Sequence, residues 1–116
     1  MRFNRGAFGP RRKPGTMNGL ERAFSEALTL RVNAGELLWW KFEGITLKLA
    51  TDTRLTPDFA AQLPTGEVVL YETKGFMRDD ANVKLKVAAA LFPFRIIVVK
   101  KRAKKDGGGF TEDEVK

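Results

Sequence analysis

Two strand-like runs, Thr56 to Leu63 and Glu67 to Lys74, meet at Pro64-Thr65-Gly66, and this junction constrains the fold more than any other feature of the chain. Proline presets one backbone angle of a turn and glycine supplies a positive φ, so the tripeptide predicts a hairpin. Val68, Val69, Leu70 and Tyr71 are β-branched, aliphatic and aromatic, as a central strand requires. Residues that face each other across a hairpin are equidistant from its turn. With the turn centred on Thr65, Asp58 is expected opposite Glu72, their Cβ atoms roughly 4.5–5.5 Å apart.

The rest of the pattern builds around that hairpin. A first helix is expected after Thr16 or Asn18, with Leu20, Ala23, Phe24 and Ala27 as its apolar stripe and Gly35 ending it. The aromatic run Leu37 to Glu43 follows, read as a strand whose Trp39, Trp40 and Phe42 serve core or interface rather than base stacking. Ile45, Leu47 and Leu49 alternate with polar or small residues, the period of a half-buried strand. A second helix is expected from Asp79 or Asp80 to Phe92, with Val83, Val87, Ala90 and Leu91 inward and Pro93 stopping it. Ile96 to Val99 form a continuous apolar run typical of a buried strand. The expected architecture is α/β (α+β), a small mixed sheet flanked by helices in the order αβββαβ.

Three segments are expected along the 116 residues: a flexible basic arm (1–15), one folded domain (16–101) and a disordered charged tail (102–116). Cysteine and histidine are both absent. That excludes disulfides, Cys or His zinc sites, thiol nucleophiles and histidine-based acid–base catalysis. Lys and Arg outnumber Asp and Glu by 21 to 14, for a net charge of +7, which favours a polyanionic partner. No apolar run reaches the roughly 20 residues of a membrane span. No signal-peptide core follows the basic N-terminus, so the expected location is cytoplasmic.

Two carboxylates placed face to face repel unless something positive sits between them. Lys74, two residues beyond Glu72 and on the same face of the strand, supplies one such charge, and a divalent cation supplies more. Hard Mg²⁺, with Mn²⁺ as a substitute, suits one or two carboxylates plus water and phosphate oxygens. A solvated strand edge, with Asp58 capping a turn, would leave the same short pattern.

Pro57-Asp58 followed by Glu72-Thr73-Lys74 resembles the PD-(D/E)xK nuclease superfamily. Asn18-Gly19-Leu20-Glu21, Thr56-Pro57-Asp58-Phe59, Leu63-Pro64-Thr65-Gly66 and Glu72-Thr73-Lys74-Gly75 with Asp79-Asp80 and Lys84 are similar to the phage endonuclease I family of Holliday-junction resolvases. The resemblance runs from about Asn18 to Pro93. It implies a restriction-endonuclease-like core and a Mg²⁺-dependent endodeoxyribonuclease acting on branched DNA in recombination, as a homodimer without membrane or organic cofactor. By the same resemblance Glu21, Asp58, Glu72 and Lys74 are catalytic. The metal ligands are Asp58, Glu72, the Thr73 carbonyl and Glu21, and the lysine orients the attacking water. If phage-encoded, the chain works in the host cytoplasm.

Glu26, Glu36 and Glu43 are alternatives to Glu21, with Glu43, at a strand end, the nearest rival. Arg2, Arg5, Arg11, Arg12 and Lys13 in the arm, with Arg78 and Lys84, are the candidate DNA contacts. The alternative reading is a non-catalytic basic DNA-binding module of a phage, which would have no use for four such residues together.

Overall fold

The computed structural model describes residues 15–75 and 79–116, with residues 79–81 described as backbone. The chain is a mixed α+β protein with two helices, a five-stranded mixed sheet and a separate two-stranded sheet. In chain order the elements are α1 (Gly19–Asn33), β1 (Trp39–Phe42), β2 (Leu47–Ala50), β3 (Thr53–Leu55), β4 (Phe59–Gln62) and β5 (Val68–Thr73). They continue with α2 (Asp79–Leu91), β6 (Arg95–Lys101), one 3-10 turn (Lys104–Asp106) and β7 (Phe110–Glu114). The large sheet has the order β1-β4-β5-β6-β7, antiparallel except for the parallel pair β5 and β6 that α2 connects.

The central hairpin forms as its turn residues require. Gly66 takes φ +96°, its N–H donates to the Leu63 carbonyl at 2.8 Å, and the Leu63 N–H donates to the Glu67 carbonyl at 2.9 Å. This is a three-residue loop closed by a left-handed glycine. Phe59 pairs with Tyr71 and Ala60 with Leu70, so the register read about Thr65 holds and carries on to Asp58 and Glu72.

The period of two along the strands divides the core into two layers. Phe59, Ala61, Val69, Tyr71, Ile97 and Val99 face α1, where Phe24 and Leu28 are fully buried. Phe24 packs edge-on against Phe59, Tyr71 and Phe110, its ring centroid 5.2 to 5.7 Å from theirs. Burying a side chain of that size stabilises by about 1.5–3 kcal/mol. Ala60, Leu70, Ile96 and Val98 face the other way, under Leu85 and Ala88 of α2 and Leu47 and Leu55 of the small sheet.

Three expectations are corrected here. The order αβββαβ has four strands where the described residues form seven, five before α2 and two after it, and β2 leaves the main sheet to pair with β3 alone. Residues 102–116, expected as a disordered tail, supply the 3-10 turn and β7, which completes the sheet beside β6. The tail's acids have cationic partners: both Glu112 carboxylate oxygens accept from Arg31, at 2.6 and 3.0 Å, and Glu114 accepts from Arg95 at 3.3 Å. The buried face of α2 is Leu85 and Ala88, whereas Val83, Val87, Ala90 and Leu91 point outward, Val83 and Leu91 more than half exposed. Two apolar stripes are written on that helix, and the sheet selects the narrower one. Among the described residues no helix is long and apolar enough to cross a membrane.

Candidate functional site

Asp58 and Glu72 are brought together at the carboxyl end of β5, and both are nearly inaccessible to solvent. Pro57, also buried, leads into β4 and fixes the backbone immediately before Asp58. The hydrogen bonds lock the two carboxyls into one unit. The Asp58 N–H donates to Glu72 Oε1 at 3.1 Å, and the Thr73 N–H and Oγ1–H donate to Asp58 Oδ2 at 2.9 and 2.7 Å. Such donors to a buried carboxylate are what hold it charged away from water.

The two acids respond differently to that environment. Burial first, and then the Asp58 carboxylate beside it, push Glu72 well above the usual carboxylate range. Asp58 is held below its ordinary value. Burial pushes it up, and the N–H and O–H of Thr73 are among the groups that pull it down. Two buried like charges at contact cannot both ionise cheaply, and of the pair Glu72 is the one whose proton is held more tightly.

Strand alternation puts Glu72 on the same face as Leu70, the face covered by α2. Lys74 is half-buried just past the strand, and its N–H continues the ladder to the Val99 carbonyl at 2.7 Å. Period two returns its side chain to the Glu72 face. Lys84, half-buried on α2, belongs to the layer over that face.

Glu21 is buried at the third position of α1 and is tied into a capping box. Its N–H donates to Asn18 Oδ1 at 2.7 Å, and its Oε1 accepts from the Asn18 N–H at 2.8 Å. The short connection from α1 to β1 turns the helix back along that strand, which sends the amino end of α1 toward the end of the sheet where Phe42 meets Phe59. Glu21 therefore lies at the Asp58 end of the molecule, in the α1 layer. Among the described residues no three acids converge closely enough to hold one ion together. Of the alternatives, Glu26 and Glu36 are exposed. The N–H of Glu43 donates to the Asp58 carbonyl at 2.7 Å, and Glu43 adopts φ +50°, a left-handed conformation uncommon for a side chain of its size. Arg2, Arg5, Arg11, Arg12, Lys13 and Arg78 lie outside the described residues.

The strand ending in Lys100 is expected from the sequence, but not its register beside Lys74, nor that the chain beyond it folds. The signal was Phe110-Thr111, two strand-forming residues after three glycines, obscured by the acids that follow. Compared with models of known protein families, with curated proteins and with solved structures, the chain matches none.

The donor chemistry of the acid pair fits a hard, hydrated cation. It offers oxygen only, carries at least one negative charge, and is already desolvated. Asp58, Glu72 and the neighbouring Thr73 carbonyl are the residues that would hold it.

Proposed function

We propose that the protein is a metal-dependent endodeoxyribonuclease that hydrolyses phosphodiester bonds, with branched DNA as its expected substrate. The observation that carries this reading is the meeting of Asp58 and Glu72. Two carboxyls buried in contact cost stability, even though each accepts a backbone N–H, Asp58 from Thr73 and Glu72 from Asp58. A divalent cation held there would acidify a water and neutralise charge building on the phosphate.

The protein's own groups have separable tasks in this scheme. Thr73 fixes the Asp58 carboxylate through two hydrogen bonds, so that its remaining lone pairs keep one direction. Glu72, whose burial beside Asp58 raises its affinity for a proton, would hold a cation in competition with that proton. Lys74, on the same face as Glu72, places an ammonium where it can orient a water or meet a phosphate oxygen. Glu21, in the α1 layer, does not converge with Asp58 and Glu72 on one ion among the described residues, and its part in catalysis rests on the resemblance alone. A homodimer cutting two strands in the host cytoplasm accompanies this reading.

The test is cleavage of a four-way junction, a linear duplex and a single strand in Mg²⁺, Mn²⁺ or EDTA. Metal-dependent cutting is expected, with a loss of at least about 100-fold in Asp58→Ala while DNA binding persists. Full-rate cutting by Asp58→Ala would remove the site assignment. Binding without cutting in any metal would leave a DNA-binding module.

A further inference from the structure

We infer that the carboxyl end of β6 and the 3-10 turn after it form a contact surface for the phosphate backbone of duplex DNA, continuous with Lys74. The inference rests on reading the Asp58–Glu72 pair as a phosphodiesterase site, and, Lys74 aside, it uses residues that enter no other part of that reading.

The parallel register pairs Glu72 with Val98 and Thr73 with Val99. One residue further, the ladder bond from the Lys74 N–H to the Val99 carbonyl sets Lys74 beside Lys100. Neighbouring strands are about 4.8 Å apart, and paired residues of parallel strands share a face. Lys100 therefore stands on the face of Lys74 and Glu72. Two ammonium groups held side by side repel, and an anion between them relieves the repulsion. A phosphate at the mouth of the acid pair would do so.

From Lys100 the cations continue. Lys101, Arg102, Lys104 and Lys105 are exposed, and the only acid among residues 100–106 is Asp106. Among the described residues none of these five cations forms an ion pair, whereas the acids of β7 pair with Arg31 and Arg95.

The cations are also held in place. The Asp106 and Gly108 N–H groups donate to the Ala103 carbonyl at 3.0 Å, and the Gly107 N–H donates to Lys104 at 3.1 Å. The Arg102 N–H closes the loop onto Gly109 at 2.9 Å. Gly107, Gly108 and Gly109 all take positive φ, which lets the chain reverse within one turn. Exposed cations on a hydrogen-bonded turn that leads away from a hydrolytic site, with Lys100 on one face of β6 and Lys101 on the other, suit the repeating phosphates of a duplex, where each contact releases counterions.

The experiment is equilibrium binding of a short DNA duplex, in EDTA, across a salt series. The surface variant combines Lys100→Gln, Lys101→Gln, Lys104→Gln and Lys105→Gln. A control variant removes the same charge elsewhere, through Lys41→Gln, Lys48→Gln, Arg54→Gln and Lys116→Gln, all at exposed positions. The surface variant is expected to bind at least about 10-fold more weakly, its salt slope shallower by about 0.9 for each cation that meets a phosphate. The control should stay within about 2-fold, and the same four lysines changed to Arg should restore binding. Equal binding by surface variant and wild type overturns the inference, whether or not the protein cuts. Equal losses in surface and control variants also overturn it, because net charge then explains the effect. Tighter binding of an RNA duplex overturns the DNA assignment. Loss of binding in the surface variant alone, with no cleavage by wild type in any metal, supports the surface and removes the nuclease reading.

Discussion

At the scale of single residues, Asp58 and Glu72 show how a strand pair can hold chemistry that neither residue has alone. Each is an ordinary carboxyl in the unfolded chain. Folding buries both, and the shared environment moves them apart, Asp58 below its ordinary value and Glu72 above it. The raised Glu72 has a consequence for stability, with its sign fixed by linkage. Its proton is bound more tightly in the folded protein, so this contribution is complete below the unfolded value near 4.5 and is lost as pH rises through the folded value. The metal-free protein should therefore lose this contribution as pH is raised from near 4.5 through the folded value, and Glu72→Gln should flatten the pH dependence of its melting temperature. Melts in EDTA across this range check it; an unchanged slope in Glu72→Gln would mean another group is responsible. The same substitution should abolish cleavage, so stability and activity are expected to move in opposite directions. Phe24 sets the opposite extreme. Fully buried and in contact with three aromatic rings, its replacement by Ala should cost about 3–5 kcal/mol in denaturant unfolding.

Elements obey constraints that their residues do not reveal singly. Helix α2 carries two apolar stripes, and of its residues whose side chains are described only Leu85 and Ala88 are fully buried. A charge at Val87 should shift stability by no more than about 0.5–1 kcal/mol. A charge at Ala88, with no exposed surface, should cost several times more, since it places an unpaired ammonium in the core. Melting of Val87→Lys and Ala88→Lys distinguishes the two faces directly. If Val87→Lys were the worse variant, the helix would sit rotated from the orientation described. The central hairpin needs less interpretation. Its turn residues, register and apolar run all favour one pairing, and Gly66 at φ +96° leaves little room for any other residue.

The molecule as a whole is a sheet covered on both faces, and its integrity depends on the last strand. β7 shields one side of β6, brings Phe110 onto Phe24, and ties α1 to the sheet through Arg31 and Glu112. The exposed ion pairs contribute little on their own; the strand pairing and Phe110 contribute most. Removing residues 110–116 should therefore expose the edge of β6 and speed amide exchange in both β6 and α1. Hydrogen exchange on the shortened chain measures this. Unchanged protection of α1 would show that β7 is an accessory strand.

Local chemistry made part of this protein legible without its structure. A turn tripeptide, a period of two and a proline-fixed Asp58 were enough to align Asp58 with Glu72, because hairpin register depends only on neighbouring residues. Asn18 and Glu21 could likewise be placed at a helix start, since a cap acts within one turn. The remaining features depend on contacts distant in sequence. Which stripe of α2 is buried is set by the sheet beneath it, and the pairing of β7 with β6 is set by the strand edge β6 offers and by Phe24, which receives Phe110. The juxtaposition of Lys74 with Lys100 comes from a parallel register that a helix of crossover separates. Composition described residues 102–116 as charged and glycine-rich, and so as a tail. Only the folded sheet supplied the partner strand and the opposite charges that make them part of the domain.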